Sequence, residues 1–67
     1  MAKTFEIVEL VGISTESIED AIKGAIEEAG KVSPVAWFNV LEQRGRVTSE
    51  GKIELQVTVK IGRKLNN

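Results

Sequence analysis

The 67-residue chain contains neither cysteine nor histidine, and only one proline. These absences exclude disulfides, a thiol nucleophile, a His-based acid/base pair and the usual zinc ligand sets. No apolar run exceeds a few residues, so neither a transmembrane span nor a signal-peptide core is predicted. With 9 Lys+Arg against 10 Asp+Glu, the chain also lacks the basic surface of a nucleic-acid binder. We therefore expect a cytoplasmic protein with neither membrane nor nucleic acid as partner.

Local patterns predict an α+β fold of order β-α-β-β in one domain over residues 1–67. An amphipathic helix is predicted because apolar side chains recur with helical spacing. Its opening turns are acidic, and Gly30 is expected to end it. The last strand has the cleanest alternation of apolar and polar residues. The predicted elements are a strand over Lys3–Val11 ending at Gly12, a helix capped by Ser14 or Thr15 and running to about Ala29, and strands over Val35–Val47 and Lys52–Lys64.

The last two strands should pair as an antiparallel hairpin through a turn over residues 48–51. A turn centred between Ser49 and Glu50 places Val40 opposite Val59 on the core face. Gln56 then lies opposite Gln43, about 20 Å along the hairpin from the position opposite Trp37. The predicted outward face comprises Trp37, Asn39, Leu41 and Gln43 with Gln56, Thr58 and Lys60. One small ligand can reach both Trp37 and Gln56 only if the strands bend sharply or the site is shared between subunits.

One helix of this length cannot cover the predicted sheet. Strands of about thirteen residues span roughly 40 Å, whereas the helix spans only about 20 Å. The first strand is also apolar on both faces, with Val8 and Leu10 on one and Phe5, Ile7 and Val11 on the other. Self-association buries such a surplus, so we expect a homo-oligomer.

Trp37 and Gln56 are the main candidates for ligand contact. An outward tryptophan is most simply an interface anchor, and alternatively a stacking platform for a flat ring system. Gln56 is most simply a solvated strand position, but its carboxamide offers the donor and acceptor that the imide edge of a flavin or pyrimidine needs.

Two short basic clusters, Arg44 with Arg46 and Arg63 with Lys64, serve either solubility and ion pairing or phosphate binding. The glutamates show no calcium-loop spacing. The Gly12–Thr15 segment lacks the glycines and lysine of a phosphate loop.

Taken in order, three segments of the chain resemble the dodecins. They are Val8-Glu9-Leu10-Val11-Gly12-x-Ser14 before the helix, Trp37-Phe38-x-Val40 leading to Arg44-Gly45, and Gln56-Val57-x-Val59-x-Ile61-Gly62. The likeness covers nearly the whole chain without large gaps.

The resemblance implies a three-stranded antiparallel sheet wrapped around one helix, assembled into a hollow dodecamer that binds FMN or riboflavin. Trp37 matches the family's stacking tryptophan and Gln56 the glutamine that contacts the isoalloxazine ring. Val35 is expected to line the same pocket, and Arg44 or Arg46 to meet an FMN phosphate. Some relatives bind coenzyme A through basic residues, and Lys64 occupies a matching position.

We therefore predict a flavin-storing or flavin-buffering protein without catalytic turnover, and no resident metal. The alternative is a structural or interaction oligomer that binds coenzyme A, a metal or nothing. A flavin-dependent enzyme is disfavoured because a ring stacked on both faces leaves no room for a substrate. Nucleic-acid binding is disfavoured because the outward face has one tryptophan and no positive groove.

Overall fold

The computed structural model describes residues 3–65 as one helix and one antiparallel sheet. The elements are β1 (Phe5–Ser14), α1 (Ile18–Gly30), β2 (Val35–Val47) and β3 (Ile53–Lys64). The strand order is β1-β3-β2, and α1 packs on one side of the sheet, mainly against β1 and β3. The predicted β-α-β-β fold is thus confirmed. No helix within residues 3–65 is long and apolar enough to cross a membrane.

The first strand starts two residues later and ends three residues later than predicted. β1 continues through Gly12, which pairs with Val57, and ends at Ser14. A Cβ atom at position 12 would overlap the backbone carbonyl of Ala21 in the helix. Gly12 therefore lets strand and helix approach closely and does not end the strand.

The helix starts later than predicted. Its N-cap is Ser17, whose side chain accepts the Asp20 N–H at 2.9 Å, so the prediction of Ser14 or Thr15 as cap was wrong. Ser14 instead organises the turn before the helix. Its buried hydroxyl accepts the Glu16 N–H at 2.9 Å and donates to the Asp20 carboxylate at 2.7 Å. A hydroxyl that both donates and accepts suits this turn, because it leaves no buried polar atom without a partner.

The helix also ends differently. Gly30 is the last helical residue, and Lys31 continues with right-handed backbone angles of φ −67° and ψ −24°. The helix thus ends within one residue of the predicted end, but Gly30 is its last residue and not the C′ residue beyond the helix, as was predicted. Within residues 3–65 the one glycine with positive φ is Gly51, at 83° in the turn between β2 and β3.

The core lies between the small-residue stripe of α1 and the inner face of β3. The predicted apolar helix stripe is confirmed, and its alanines are almost completely buried. The fully buried core consists of Ala21, Ala25, Ala29, Val57, Val59 and Ile61. Beyond the helix the hairpin is uncovered, since Val47 and Ile53 remain 71% and 62% exposed. The helix indeed covers only part of the sheet.

The hairpin register agrees with prediction near Trp37 and departs from it further on. Val40 pairs with Val59 and Trp37 with Gly62. A β-bulge at Leu41 then shifts the pairing by one residue. A second irregularity lies at residue 36.

The bulge changes which side chains share a face. Gln43 lies opposite Val57, whose side chain is in the core, and Arg44 lies opposite Gln56. The prediction that Gln43 opposes Gln56 on the outward face was therefore wrong.

Candidate functional site

The candidate site lies on the outer face, defined here as the side of the β2–β3 hairpin turned away from α1. Trp37 is on this face, 43% exposed, and crosses to its partner Gly62 on β3. A Cβ atom at position 62 would overlap the indole, coming within 2.8 Å of Cδ2 and nearer still to other ring atoms. Gly62 therefore lets the indole rest directly on the strand backbone, leaving part of the ring exposed.

A hydrogen-bonded network occupies the same face beyond the Leu41 bulge. Arg44 donates through Nε to the Gln56 side-chain oxygen at 2.8 Å. Its Nη1 donates to Glu42 at 3.0 Å and to the Thr58 hydroxyl at 3.4 Å. One guanidinium thus connects three side chains on two strands, which a planar group with five N–H donors can do.

The network continues through Glu54. One of its carboxylate oxygens accepts from Arg46 Nε at 2.7 Å and from Gln56 Nε2 at 3.2 Å. These two hydrogen bonds, the stronger from Arg46, lower the pKa of the Glu54 carboxyl. The bond to Glu54 and its charge raise the pKa of Arg46. Glu54 is therefore ionised at neutral pH and acts only as an acceptor.

The network is balanced in charge, with two arginines facing two glutamates. Both carboxylates are on the outer face because each lies directly across the hairpin from a residue of the network, Glu42 from Thr58 and Glu54 from Arg46. An arginine bound to a carboxylate keeps free N–H groups but contributes less net positive potential to an approaching anion. The geometry favours recognition by directed hydrogen bonds over general attraction of phosphate.

The five predicted site residues do not form one pocket within a subunit. Arg44, Arg46 and Gln56 are brought together, while Trp37 lies on the same face beside Gly62, six positions along β3 from Gln56. Six strand residues span about 20 Å.

Val35 is separated from Trp37 by the irregularity at residue 36 and packs against the core on the helix side. Lys64, the predicted coenzyme A position, is exposed at the end of β3. No single small ligand can touch all of these residues in one subunit.

Glu42 and Glu54 belong to the network but were not predicted as site residues. Alternation along β3 already places Glu54, Gln56 and Thr58 on one face, so Glu54 was detectable. Glu42 was not, because its face depends on the bulge.

Arg63 was predicted to be part of a basic surface cluster and lies elsewhere. It points to the helix side, where Nε donates to Glu6 at 2.8 Å and Nη1 to the Ala29 carbonyl at 3.1 Å. It therefore adds a charged donor to a terminal carbonyl of α1 that also accepts the Val32 backbone N–H at 3.3 Å.

Within residues 3–65, no three or more carboxylates lie close enough together to hold a metal ion.

The fold and the site place this chain in a class of small α+β subunits. In this class an antiparallel sheet covers one helix and carries an exposed tryptophan and a polar network on its far side. A model of the Dodecin family matches residues 4–66, and the chain belongs to that family. It is 41% identical over 66 residues to a dodecin of Thermus thermophilus, covering 97% of this chain and 96% of that protein.

Solved structures agree with this assignment. A Thermus thermophilus protein superposes with a TM-score of 0.86 at 39% identity, covering 98% of each chain. The dodecin of Streptomyces davaonensis gives a TM-score of 0.87 at 31% identity over the full length of both chains. A calcium dodecin of Mycobacterium tuberculosis, described with a calcium-binding site, gives 0.85 at 26% identity, covering 94% of this chain and 91% of its own.

Proposed function

We propose that this protein binds FMN or riboflavin and stores or buffers it without catalytic turnover. The observation that carries the proposal is the exposed indole of Trp37 resting on Gly62, on the same face as the ordered Gln56 carboxamide. An indole held against a backbone offers a rigid surface to a flat ring, and offset stacking adds about 0.5–1.5 kcal/mol beyond area burial. Gln56 supplies the donor and acceptor for the ring edge.

The separation of Trp37 and Gln56 requires subunits to share the site. Because about 20 Å of strand lies between them, a ring stacked on one subunit's Trp37 can meet a Gln56 only from another subunit. The family points to a homo-oligomer. We propose that the assembly is the dodecamer that the resemblance implies, with pairs of flavins stacked between tryptophans of neighbouring subunits. Val35 and Lys64 would contribute to the ligand surface only through such contacts.

The arginines take a secondary role in this proposal. Arg44 and Arg46 are each bound to a carboxylate, so an FMN phosphate would meet only their remaining N–H groups. We therefore propose that the ring system supplies most of the affinity and that FMN and riboflavin bind similarly.

A storage role follows from the proposed geometry. A flavin covered on both faces has no place for a substrate, and the chain has no histidine or cysteine for proton transfer. Stacking on an electron-rich indole favours the oxidised, electron-poor ring and quenches its fluorescence. Protection of the bound flavin from light damage follows as a consequence.

The second candidate is an oligomer that binds another ligand. The calcium dodecin of Mycobacterium tuberculosis makes calcium a specific alternative. Coenzyme A would use basic residues such as Lys64. In both cases Trp37 serves only as an interface anchor.

The test is a fluorescence titration of riboflavin and FMN with ligand-free protein, combined with size-exclusion chromatography and light scattering. We expect saturable quenching on a particle of twelve subunits. Trp37→Ala should keep the particle and weaken binding about tenfold or more, whereas Trp37→Phe should retain part of the stacking. A particle that binds no flavin, or one in which Trp37→Ala binds and quenches like the parent, would contradict the proposal. Dissociation of Trp37→Ala would favour the interface-anchor alternative.

A further inference from the structure

We propose that Glu54 is a positioning residue that holds the Gln56 carboxamide in one orientation and thereby sets the hydrogen-bonding selectivity of the ligand site. The inference rests on the proposed flavin site and extends it to a residue that does not itself contact the ligand. It assigns to Glu54 a role in deciding which ring edges the site accepts.

The two ends of the Gln56 carboxamide are held by groups of opposite charge. Its oxygen accepts from the Arg44 guanidinium at 2.8 Å, and its nitrogen donates to the Glu54 carboxylate at 3.2 Å. Turning the amide by 180° would direct the NH₂ group at a guanidinium, which has only donors, and the oxygen at a carboxylate, which has only acceptors. The flipped state loses both bonds, so one orientation prevails.

The fixed orientation leaves a defined pair of groups for a ligand. A carboxamide has two N–H donors and an oxygen with two lone pairs. After the bonds to Arg44 and Glu54, Gln56 retains one N–H and one lone pair. This pair complements a cyclic imide edge, in which a ring N–H adjoins a carbonyl. A ring with a methylated imide nitrogen lacks the N–H and should be rejected.

Glu54 is better placed than Arg44 to maintain this orientation. Its side chain is 19% exposed and is fixed by the short bond from Arg46. Arg44 is 41% exposed and divides its donors among Glu42, Gln56 and Thr58. Removing Glu54 leaves the Gln56 nitrogen without a partner within the network. The carboxamide is then held at one end only and can rotate.

The experiment compares two phosphate-free probes, lumiflavin and N3-methyl-lumiflavin, by fluorescence titration of the assembled protein. The measured quantity is the ratio of the two affinities. One neutral hydrogen bond corresponds to about a tenfold ratio, which we expect for the parent protein. In Glu54→Ala the ratio should fall to about twofold. The matched control is Glu28→Ala, which removes the same charge from an exposed helix position whose one ion pair within residues 3–65 is with Lys31. It should keep the parent ratio.

Two further variants separate positioning from a general structural effect. Glu54→Gln keeps the shape and one acceptor oxygen, so an intermediate ratio of about three- to fivefold is expected, and this variant replaces Glu54→Ala if the latter fails to assemble. Once Gln56 has been changed to alanine, adding Glu54→Ala should not change the ratio again.

The outcomes distinguish this inference from the proposed function. A parent protein that binds neither probe overturns the proposed function, and this inference with it. A parent that discriminates tenfold, while Glu54→Ala and Glu54→Gln discriminate equally well, overturns the role of Glu54 alone. A Glu54→Ala effect that persists without Gln56 also overturns it, because the residue would then act by another route.

Discussion

The indole of Trp37 lies against the backbone of Gly62, its partner across the hairpin, so closely that no other residue can replace the glycine without moving the ring. Neither residue alone forms the flat surface on which a ligand ring could stack. Tryptophan supplies the surface, and the missing side chain at position 62 lets that surface lie against the sheet. Gly62 is itself buried although it is on the outer face.

Gly62→Ala should therefore displace the indole and weaken flavin binding. Losing an aligned stacking partner corresponds to about three- to tenfold in affinity. Overpacking between two β-strands should also lower the free energy of unfolding by about 1–3 kcal/mol. Riboflavin titration and the wavelength of tryptophan emission would measure the two effects.

Gly24→Ala is the matched control for that substitution. A Cβ atom at this helical position meets no atom within 4 Å in the subunit. Alanine is better than glycine in a helix interior by about 1 kcal/mol, so the variant should bind riboflavin like the parent and be no less stable. Equal loss of binding in both variants would contradict a specific role for Gly62.

The alternation of β3 and the helical spacing in α1 made the fold predictable from the sequence. Both patterns report burial of one face, and Val57, Val59 and Ile61 are indeed fully buried against the helix. The register near Val40 agrees with the prediction because two deviations cancel. The turn is centred on Glu50 and not between Ser49 and Glu50, as Val47 opposite Ile53 shows, and the bulge at Leu41 restores the predicted pairing of Val40 with Val59.

The Leu41 bulge could not be predicted, and it decides the composition of the site. One extra residue brings Arg44, instead of Gln43, opposite Gln56. Nothing in the local sequence distinguishes a bulged strand from a regular one here, since Leu41 is exposed and the residues after it are polar on both faces. The contact of Arg63 with the end of the helix was equally hidden, because it depends on how α1 lies on the sheet.

Arg63 should contribute to stability rather than to binding. Its side chain is 13% exposed and donates both to Glu6 and to the Ala29 carbonyl. Arg63→Met removes both bonds and leaves a helix-end carbonyl without this donor. We expect the free energy of unfolding to fall by about 1–3 kcal/mol, measured by chemical denaturation at fixed protein concentration.

Lys31→Ala is the control for that change, because the Lys31–Glu28 ion pair is 71% and 66% exposed. Such pairs contribute about 0–1 kcal/mol, so the loss should be clearly smaller than for Arg63→Met. Comparable losses would mean that Arg63 acts as an ordinary surface charge.

The Glu54 carboxylate should make stability depend on pH in acid. Hydrogen bonds from Arg46 and Gln56 lower its pKa in the folded protein. The resulting stabilisation is therefore complete above the ordinary carboxyl pKa of about 4.3, and it is lost as the pH falls below that value through the depressed folded-state pKa. Glu54→Gln cannot titrate. The difference in melting temperature between parent and Glu54→Gln should be largest near neutral pH and shrink below about pH 4.

Arg46→Met tests the cause of that dependence, since it removes the stronger of the two hydrogen bonds to Glu54. It should reduce the acid-dependent loss of stability that is specific to Glu54. If the stabilities of the parent and of Glu54→Gln change equally between pH 7 and pH 3, the carboxylate is not preferentially stabilised in the folded state.

The outer side of β1 should be an assembly surface. Ile7, Val11 and Ile13 point away from the helix and are 55%, 48% and 58% exposed, in a stripe on an edge strand that Glu9 interrupts between Ile7 and Val11. An exposed apolar edge of this kind is unfavourable in an isolated subunit and is relieved when another subunit covers it. Ile7→Lys places a charge in the stripe and should shift the protein from the large particle toward smaller species, measured by size-exclusion chromatography with light scattering. Val32→Lys is the matched control, because Val32 is 70% exposed in the α1–β2 connection and outside the stripe. If both variants keep the parent particle, the β1 stripe is not part of the interface, and if both dissociate equally, the effect follows from the added charge and not from its position.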